Sequence, residues 1–444
     1  MSLLSNALSG LNAANMAMVV AGNNAANQAT HGYSRQGVTM ATAGGNLNGV
    51  QVLSVDRIVS SFHNEDIWRT QSDLGHYEGL QSYLGYMEEL AGTDSLNMKS
   101  AIADITSALN SAMATPESAA YRQETLSSAR ALVQDLSQLN GAINFQLDKM
   151  SREMTDLASH TSSLTAQVAQ LNQKLAIATA GNEPTAQLLD QRESAITELA
   201  ASIGVRVTSR SDGRVDISTT TGVPLVLGDS AATLSVSGTT VTASLASQSV
   251  TLSGQLGGRI GGLIEAENNV IAPATNTLNS IISQLADDVN TALSEGFDLH
   301  DNPGIALFDY NPADPLGSLA LNPAMTVETL AFRGRVSDGM GSWIPAGGIG
   351  DNQNIAGVIT AFNSQQTAYT EFVGDLAMHS RLNQSSVTTA QSLNNNALQA
   401  RDSLSGVNLD EEAANLMHFQ QMYQANAKVI STADSLFATL LNSF

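Results

Sequence analysis

The residues whose side chains could do chemistry are spread along this chain without the spacing that such chemistry needs. His63-Asn-Glu-Asp-Ile begins like a zinc-protease motif but has no second His, and neither His76 nor His160 has a partner four residues on. The chain has no Cys, which excludes disulfides, zinc-thiolate sites and thiol nucleophiles. These residues therefore predict neither a metal centre nor a catalytic base.

Other segments with chemical potential have structural explanations. Asp298-Leu-His-Asp-Asn-Pro-Gly lacks the alternating acids and terminal Glu of an EF-hand loop, and predicts a turn stabilised by Asp and Asn side chains. The glycines between 254 and 262 precede no Lys-Ser/Thr, so they predict a strand-to-helix connection rather than a phosphate loop. The pairs Asp287-Asp288 and Glu411-Glu412 are expected at solvated or dipole-favoured helix positions, with Asn408 as a helix cap. We predict no enzyme activity, no metal and no cofactor.

Composition restricts the classes of partner. The chain has 444 residues, enough for roughly two or three domains of ordinary size. Its net charge of -22 disfavours nucleic acid and anionic membranes, because neither is attracted to an acidic surface. Only 14% of residues are charged and 5% are aromatic, which is typical of a structural protein built from long helices and Thr/Ser-rich strands. We therefore predict protein partners.

Both ends of the chain carry a heptad pattern of apolar residues, as in a coiled-coil seam. At the C-terminal end, the pattern comprises Leu409, Leu416, Phe419, Tyr423, Ile430, Ala433, Phe437, Leu440 and Phe444. At the N-terminal end, it comprises Leu4, Leu11, Met18 and Ala25, interleaved with Ala7, Ala14 and Ala21. Arg35 is the single charged residue among the first 55, so the first helix lacks the charged outer face of a free surface helix.

Two arrangements would explain these terminal helices. They could be the first and last helices of an ordinary domain, packed on each other, or they could be buried among copies of the chain. Neutral Asn and Gln side chains on their outer faces favour the second arrangement. The predicted assembly interface comprises Leu4, Leu11, Met18, Leu409, Leu416, Phe419, Tyr423, Ile430, Phe437 and Leu440.

Between the ends, the hydrophobic period changes twice. Helices are predicted at about 58–90, 96–114, 118–179, 185–203, 260–295, 353–364 and 367–403. The helix at 118–179 would be about 90 Å long at 1.5 Å per residue, and its start is expected at Thr115-Pro116-Glu117 with Pro at the first helical position. Short strands separated by Gly-centred turns, such as Asp212-Gly213, are predicted from Val205 onward.

The predicted fold class is mainly α with inserted β: long paired helices and terminal coiled-coil helices, with one or two small antiparallel β domains. Four parts are expected: a discontinuous terminal helical core domain (1–57 plus 404–444), a helical rod domain (58–204 plus 256–300 plus 351–403), a small β domain (205–255) and a short β/loop segment (301–350). The first 34 residues hold no Lys or Arg and only a short apolar run, so neither a signal peptide nor a transmembrane anchor is predicted.

Two segments resemble the N-terminal signature of bacterial flagellar rod, hook and hook-associated proteins: Leu8-Ser-Gly-Leu-Asn-Ala-Ala and Asn23-Asn-Ala-Ala-Asn-Gln-Ala-Thr-His-Gly-Tyr-Ser-Arg-Gln. Members of this axial protein family commonly have Ile in place of Ala25 and Pro in place of His31. The signature residues matched near the N-terminus are Asn23, Asn24, Asn27, Gly32 and Tyr33.

Three further segments resemble the hook-associated protein 1 family, which joins hook to filament. They are Leu188-Leu-Asp-Gln-Arg-Glu, the stretch from Gly257-Gly-Arg-Ile-Gly-Gly-Leu to Gly296-Phe-Asp-Leu, and Ser405-Gly-Val-Asn-Leu-Asp-Glu-Glu-Ala-Ala-Asn-Leu. The last contains the signature residues Gly406, Asn408 and Asp410. The segments at about 205–252 and 302–350 match weakly and are short for this family.

The resemblance implies a structural adaptor that assembles as a ring at the distal end of the hook and forms the hook–filament junction needed for filament assembly. It implies these partners: copies of the chain, hook protein, the second hook–filament junction protein, a cytoplasmic export chaperone that binds the C-terminal region, and the flagellar type III export apparatus. The implied location is extracellular, after export without a cleaved signal peptide.

Two alternatives remain open. The first is a neighbouring axial protein, such as the second junction protein or hook protein, which the segments beginning at Leu188 and Ser405 disfavour. The second is a secreted surface enzyme or adhesin that acts through the region 205–350. No cluster of nucleophile, base or metal ligands in the sequence supports this second alternative.

Overall fold

The computed structural model describes residues 2–30, 32–43, 49–93, 98–181 and 183–442, with the side chains of Ser2 and Leu440 excepted. His31, the predicted helix start at Leu96, the side chain of Leu440, and Phe444 lie outside the described residues. Long helices and small antiparallel sheets make up the described chain, so the prediction of a mainly α fold with inserted β is confirmed.

The described helices agree closely with the predicted ones. They are α1 (Ser2–Ala26), α2 (Ser61–Gly92), α3 (Met98–Ala112), α4 (Ala119–Ala180), α5 (Ala186–Ser202), α6 (Gly258–Glu265), α7 (Ala272–Ser294), α8 (Pro315–Ser318), α9 (Gln353–Asn363), α10 (Gln366–Ser405) and α11 (Leu409–Leu441). A π-helical turn, Ala266–Ile271, joins α6 to α7, where the sequence predicts one uninterrupted helix. In this turn the N–H of Ala272 donates to the carbonyl of Glu267, five residues back.

The described strands pair in separate small sheets. They are β1 (Gln36–Thr42), β2 (Val50–Arg57), β3 (Val205–Ser209), β4 (Val215–Thr219), β5 (Pro224–Leu227), β6 (Ser230–Ala231), β7 (Thr233–Ser237), β8 (Thr240–Leu245), β9 (Gln248–Leu252), β10 (Phe308–Asp309), β11 (Ala320–Leu321), β12 (Arg335–Ser337) and β13 (Trp343–Pro345). The sheet orders are β1-β2, β3-β4-β5-β6, β7-β8-β9, β10-β11 and β12-β13, all antiparallel. Gly213 has a positive φ of 82°, as the predicted Asp212-Gly213 turn requires.

Helix α4 contains 62 residues, so it is about 90 Å long at 1.5 Å per residue. Apolar side chains at seven-residue intervals along this helix are buried, including Leu136, Ile143 and Met150. Helix α4 begins at Ala119, one residue after the predicted start at 118, but Pro116 lies in the preceding turn and not at the first helical position as predicted. The guanidinium of Arg122 explains this turn, since its Nε donates to the carbonyl of Pro116.

The chain forms two compact units. The first unit comprises residues 1–76, 155–261 and 388–444, and the second comprises residues 77–154 and 262–387. In the second unit, the turn at Asp298 is confirmed: its carboxylate accepts hydrogen bonds from the N–H groups of His300 and Asn302 at 2.7 and 2.9 Å, and from the side chain of Asn302. The finer division into four parts stays a prediction.

Candidate functional site

The terminal helices α1 and α11 pack along each other within the first unit. Gly10 lies against the side chain of Asn426, while Arg35, which follows α1, pairs with the first turn of α11. The two helices therefore run antiparallel. The buried face of α1 carries small residues in heptad spacing, which allows α11 to approach closely; it comprises Ala7, Gly10, Ala14, Ala17 and Ala21.

The larger apolar residues predicted as the interface in α1 lie beside this small-residue face. Leu4 is 44% exposed, and Leu11 and Met18 are half-buried. Residues 3–26 of this helix are long and apolar enough to cross a membrane by length and composition alone. Helix α1 packs on α11 and also contacts the β1–β2 hairpin, while exposed apolar side chains such as Leu3, Leu8 and Val19 lie on the rest of its surface.

The interface residues predicted in α11 fall into two groups. Leu416, Phe419 and Ile430 are half-buried, whereas Leu409, Tyr423 and Phe437 are exposed. Exposed apolar side chains also include Met417, Val429, Leu436 and Leu441. The structure thus places both groups on one helix but covers only the first within the chain.

The last turns of α11 extend past the start of α1. Because Gly10 faces Asn426 and the helices are antiparallel, the residue opposite Asp434 would be near Ser2, at the same rise per residue. No described part of α1 lies beside the turns that follow. This explains why Phe437 is 64% exposed and Leu441 is 71% exposed.

The N-terminal signature folds into a hydrogen-bonded corner between α1 and β1. Asn24 is buried at the end of α1; its Nδ2 donates to the carbonyl of Gln36, and its Oδ1 accepts from the Gln36 N–H and the Tyr33 hydroxyl. The side chain of Asn27 donates to the carbonyl of Asn23, whose own side chain is exposed. Gly32 has a positive φ of 77°, a conformation that favours glycine. These signature residues therefore set the direction in which the chain leaves α1.

Arg35 connects this corner to the C-terminal signature. Its guanidinium lies 2.8 Å from Glu411 and 2.9 Å from Glu412, and its N–H donates to the carbonyl of Ser405. Glu412 is only 2% exposed. Arg35, the single charged residue among the first 55, therefore neutralises Glu412, the buried acid in the first turn of α11.

The C-terminal signature residues form the connection between α10 and α11. A Cβ at Gly406 would collide with the carbonyl oxygen of Asp402, so this position has no room for a side chain. Asn408 caps α11, as predicted, because its Oδ1 accepts from the N–H of Asp410 at 3.0 Å. Asp410 is exposed in the first turn, where the helix dipole favours an acid.

Arg57 forms a second cluster with the segment that begins at Leu188. Its buried guanidinium lies 2.8 Å from Asp190, donates two hydrogen bonds to Glu193, and donates to the hydroxyl of Ser34. Burial raises the pKa of the Asp190 carboxyl above its ordinary value, although Arg57 and Ser34 act in the opposite direction. Burial also raises the pKa of the Tyr33 phenol, with smaller contributions from the charges of Asp190 and Glu412.

Neither charged cluster is predicted from the sequence. Glu411 and Glu412 are expected only at solvated or dipole-favoured helix positions, and no partner is predicted for Arg35. The isolation of Arg35 in an otherwise uncharged stretch was the available signal. Among the described residues, no three His, Asp or Glu are grouped as metal ligands.

Two family models match the chain. One, described as "Flagellar hook-associated protein FlgK helical domain", matches residues 84–308, just over half of the chain. The other, described as "Flagellar basal body rod FlgEFG protein C-terminal", matches residues 398–443, which contain α11.

Relatives match over most of their length. Flagellar hook-associated protein 1 of Escherichia coli (strain K12) is 25% identical over 546 aligned positions, covering 99% of this chain and 99% of the relative. Flagellar hook-associated protein 1 of Bacillus subtilis (strain 168) is 22% identical, covering 89% and 86% respectively. The solved structure of the flagellar hook junction protein FlgK from Burkholderia pseudomallei has a TM-score of 0.67 at 15% identity and covers 77% of this chain and 100% of that chain, which shows a shared fold.

Proposed function

The chain belongs to the family of the flagellar hook-associated protein FlgK, and we propose that it assembles as a ring of copies at the distal end of the hook. It is a flagellar hook-associated structural protein with an extracellular axial location. In the proposed role it is a non-enzymatic adaptor, and its ring forms the junction on which the filament assembles.

The observation that carries this proposal is the exposed apolar surface of the terminal helices. Leu436, Phe437 and Leu441 are each more than 60% exposed, on turns of α11 that extend past α1. Fully burying one such side chain is worth about 1.5–3 kcal/mol. Assembly with other copies would provide that burial, and the predicted seam at Leu409, Tyr423 and Phe437 belongs to the same surface. The half-buried Leu416, Phe419 and Ile430 would hold α11 on α1.

The near absence of charge on these helices also supports assembly. Arg35 is the single charged residue among the first 55, and residues 413–427 contain no Lys, Arg, Asp or Glu. Charged groups are costly to desolvate in a packed interface, whereas small and amide side chains pack with little penalty. Leu4, Leu11 and Met18 would contribute to this interface from α1.

The remaining partners follow from the same surface. We propose that hook protein and the second hook–filament junction protein contact the ring on its two sides. Before assembly, the exposed apolar row of α11 would be covered by a cytoplasmic export chaperone, because patches of this kind otherwise promote association. Export through the flagellar type III apparatus, without a cleaved signal peptide, would follow.

The first test removes the gene and examines the cells by electron microscopy, with unassembled filament protein assayed in the medium. Completed hooks without filaments, and filament protein in the medium, are expected. Normal filaments would contradict the junction role.

The second test addresses the interface. Phe437→Asp should abolish incorporation into flagella, because a carboxylate would be desolvated in the seam. Phe145→Asp in α4 is the matched control, since Phe145 is 63% exposed and lies outside the terminal helices. Incorporation is measured in purified hook–filament preparations. Equal incorporation of both variants would place the seam elsewhere.

A further inference from the structure

Helix α11 carries two isolated charges of opposite sign on its later turns. Lys428 and Asp434 are the only Lys, Arg, Asp or Glu residues from 413 to 444, and both side chains are exposed. Among the residues that the structure describes, neither side chain forms an ion pair. An otherwise uncharged surface therefore contains one cation and one anion that the fold of a single copy does not use.

The two charges cannot pair with each other inside one helix. They are six residues apart, which separates them by about 9 Å along the helix and about 120° around it, at 1.5 Å and 100° per residue. Ion pairs within a helix form between residues three or four apart, because only those share a face. A partner for either charge has to come from outside its own helix.

Helix α1, which packs on α11, has no side chain that could be this partner. The first 34 residues contain no Lys, Arg, Asp or Glu, and Arg35 already pairs with Glu411 and Glu412 at the other end of α11. Lys428 is the only Lys or Arg in either terminal helix. A side-chain cation for Asp434 is therefore available from the α11 helix of a second copy.

Assembly would remove water from Asp434. Its carboxylate shares a face of α11 with Phe437 and Leu441, which lie three and seven residues further on and are 64% and 71% exposed. Covering these apolar side chains also desolvates the carboxylate beside them. A desolvated charge is tolerated when it is paired and hydrogen-bonded, so an ammonium group from the neighbouring copy would offset the cost.

The angle between the two charges matches the geometry of a ring. Each copy in a ring presents two different sides to its two neighbours, which makes the contact heterologous. Because Lys428 and Asp434 point about 120° apart, one copy can direct Lys428 toward one neighbour and Asp434 toward the other. Every contact around the ring then contains one ion pair, and no charge is left without a partner.

We propose that the ammonium group of Lys428 in one copy pairs with the carboxylate of Asp434 in the next copy. The pair fixes the register of adjacent α11 helices at an offset of about 9 Å along their axes. Charged residues beside coiled-coil seams set partner choice and orientation in this way, because a wrong register leaves charges unpaired or places like charges together. This inference rests on the proposed ring assembly and assigns its register to two residues.

Charge reversal tests the pair in cells. Lys428→Glu places two acids at each contact and Asp434→Lys places two cations there, so each variant should be incorporated about tenfold less than the unsubstituted protein, equivalent to about 1.4 kcal/mol. The double variant exchanges the two charges and should restore incorporation. Lys149→Glu is the matched control, because Lys149 is exposed on α4, outside the terminal helices, and this variant should be incorporated normally.

Co-expression of the two single variants separates a contact between copies from a contact with any other protein. A copy with Lys428→Glu offers an acid on both sides, and a copy with Asp434→Lys offers a cation on both sides. When the two kinds of copy alternate, every contact pairs opposite charges, so the mixture should recover incorporation that each variant alone has lost. No recovery in the mixture, or full incorporation of either single variant alone, would overturn the inference.

A zero-length carbodiimide gives a readout on the unsubstituted protein. It joins a carboxylate to an amine in contact with it: an amide bond forms, and the carbodiimide takes up the elements of water and leaves as a urea. In flagella assembled from a mixture of copies labelled with light and heavy nitrogen, cross-linked peptides that join Lys428 to Asp434 should contain one copy of each label. Coupling of Asp434 to the terminal amine, or to a different protein, would overturn the inference.

The unsubstituted protein separates this inference from the proposed function. If it is absent from purified hook–filament preparations, the proposed function itself fails. If it is present, and the single charge-reversal variants are incorporated as well as Lys149→Glu, only the ion pair between copies is refuted.

Discussion

Replacing Arg122 by Met should selectively loosen the second unit. Arg122 is fully buried, and its guanidinium donates to three carbonyls, those of Pro116, Val327 and Leu330. It also lies 4.6 Å from the centroid of the Phe332 ring. The substitution keeps most of the side-chain volume but leaves all three carbonyls without this donor.

The stability that the Arg122→Met variant loses is the difference between two opposing contributions. A buried polar group without its partner costs about 1–3 kcal/mol, so three carbonyls would cost about 3–9 kcal/mol. The buried charge also has a cost, since burial lowers the pKa of Arg122 to about 10 and leaves Nη2 without a hydrogen bond. Removing that charge recovers about 3 kcal/mol at 1.36 kcal/mol per pKa unit. The difference is a net loss of about 0–6 kcal/mol, with a midpoint of about 3 kcal/mol.

Hydrogen exchange of the segments 116–126 and 325–332 is the assay, because the chain has two units and a single unfolding midpoint would mix them. At 1.4 kcal/mol per tenfold, a loss of about 3 kcal/mol speeds exchange on the order of 100-fold. Arg130→Met is the control, since Arg130 is exposed on the same helix and its loss should change stability by about 0.5 kcal/mol or less. Equal exchange in the two variants would refute the conclusion that Arg122 stabilises these two segments through its hydrogen bonds.

Three further predictions concern the first unit. Arg35→Gln should lower local stability around residues 33–36 by about 1–3 kcal/mol and so speed hydrogen exchange there, because Glu412 stays buried without its cation. Arg69→Gln is the control, since it breaks only exposed pairs worth about 0.2–1 kcal/mol. Adding Glu412→Gln to Arg35→Gln should restore slow exchange, and its failure to do so would count against the pair. Asp190→Asn should flatten the pH dependence of stability: burial raises the folded pKa of Asp190 above its ordinary 3.8, so its contribution is largest below that value and is lost as pH rises through the folded pKa. Hydrogen-exchange protection of residues 186–202 at pH 4 and pH 7 tests this, and the same change in protection for the variant and the unsubstituted protein would contradict it. Gly10→Leu should reduce incorporation into flagella, because its Cβ alone would lie 2.7–2.9 Å from the Asn426 amide and the longer side chain would push α1 away from α11. Gly22→Leu is the control, since a Cβ at Gly22 meets nothing within 4 Å. Equal incorporation of the two variants would contradict the close packing of α1 and α11 at Gly10.

Local patterns in the sequence determined most of the elements. Hydrophobic periods of 3.6 and 2 depend on neighbouring residues alone, so the long helix α4, the strands from Val205 and the cap at Asn408 were all predictable. The position of Pro116 in the turn before α4 and the π-helical turn were not predictable. Each depends on a contact that local periodicity does not contain, such as the bond from Arg122 to the carbonyl of Pro116.

The heptad patterns of the terminal helices, the lack of charge in α1 and the low charge of α11 were also predictable from the sequence. Which face each helix buries within the chain was not predictable, because it depends on the tertiary fold. In α1 the small residues around Gly10 lie against α11, and Leu4 stays largely exposed. A heptad pattern shows that a face is apolar, but the closeness of approach depends on the partner helix.

The charged clusters show most clearly that contacts between distant parts of the chain cannot be predicted from local sequence patterns. Arg35 and Glu411 are 376 residues apart in the sequence, and Arg57 and Glu193 are 136 apart. The sequence determined that these charges exist and that Arg35 is isolated among neutral residues. Their partners depend on the tertiary fold, because an ion pair depends on the distance between two groups in space, and separation along the chain does not fix that distance.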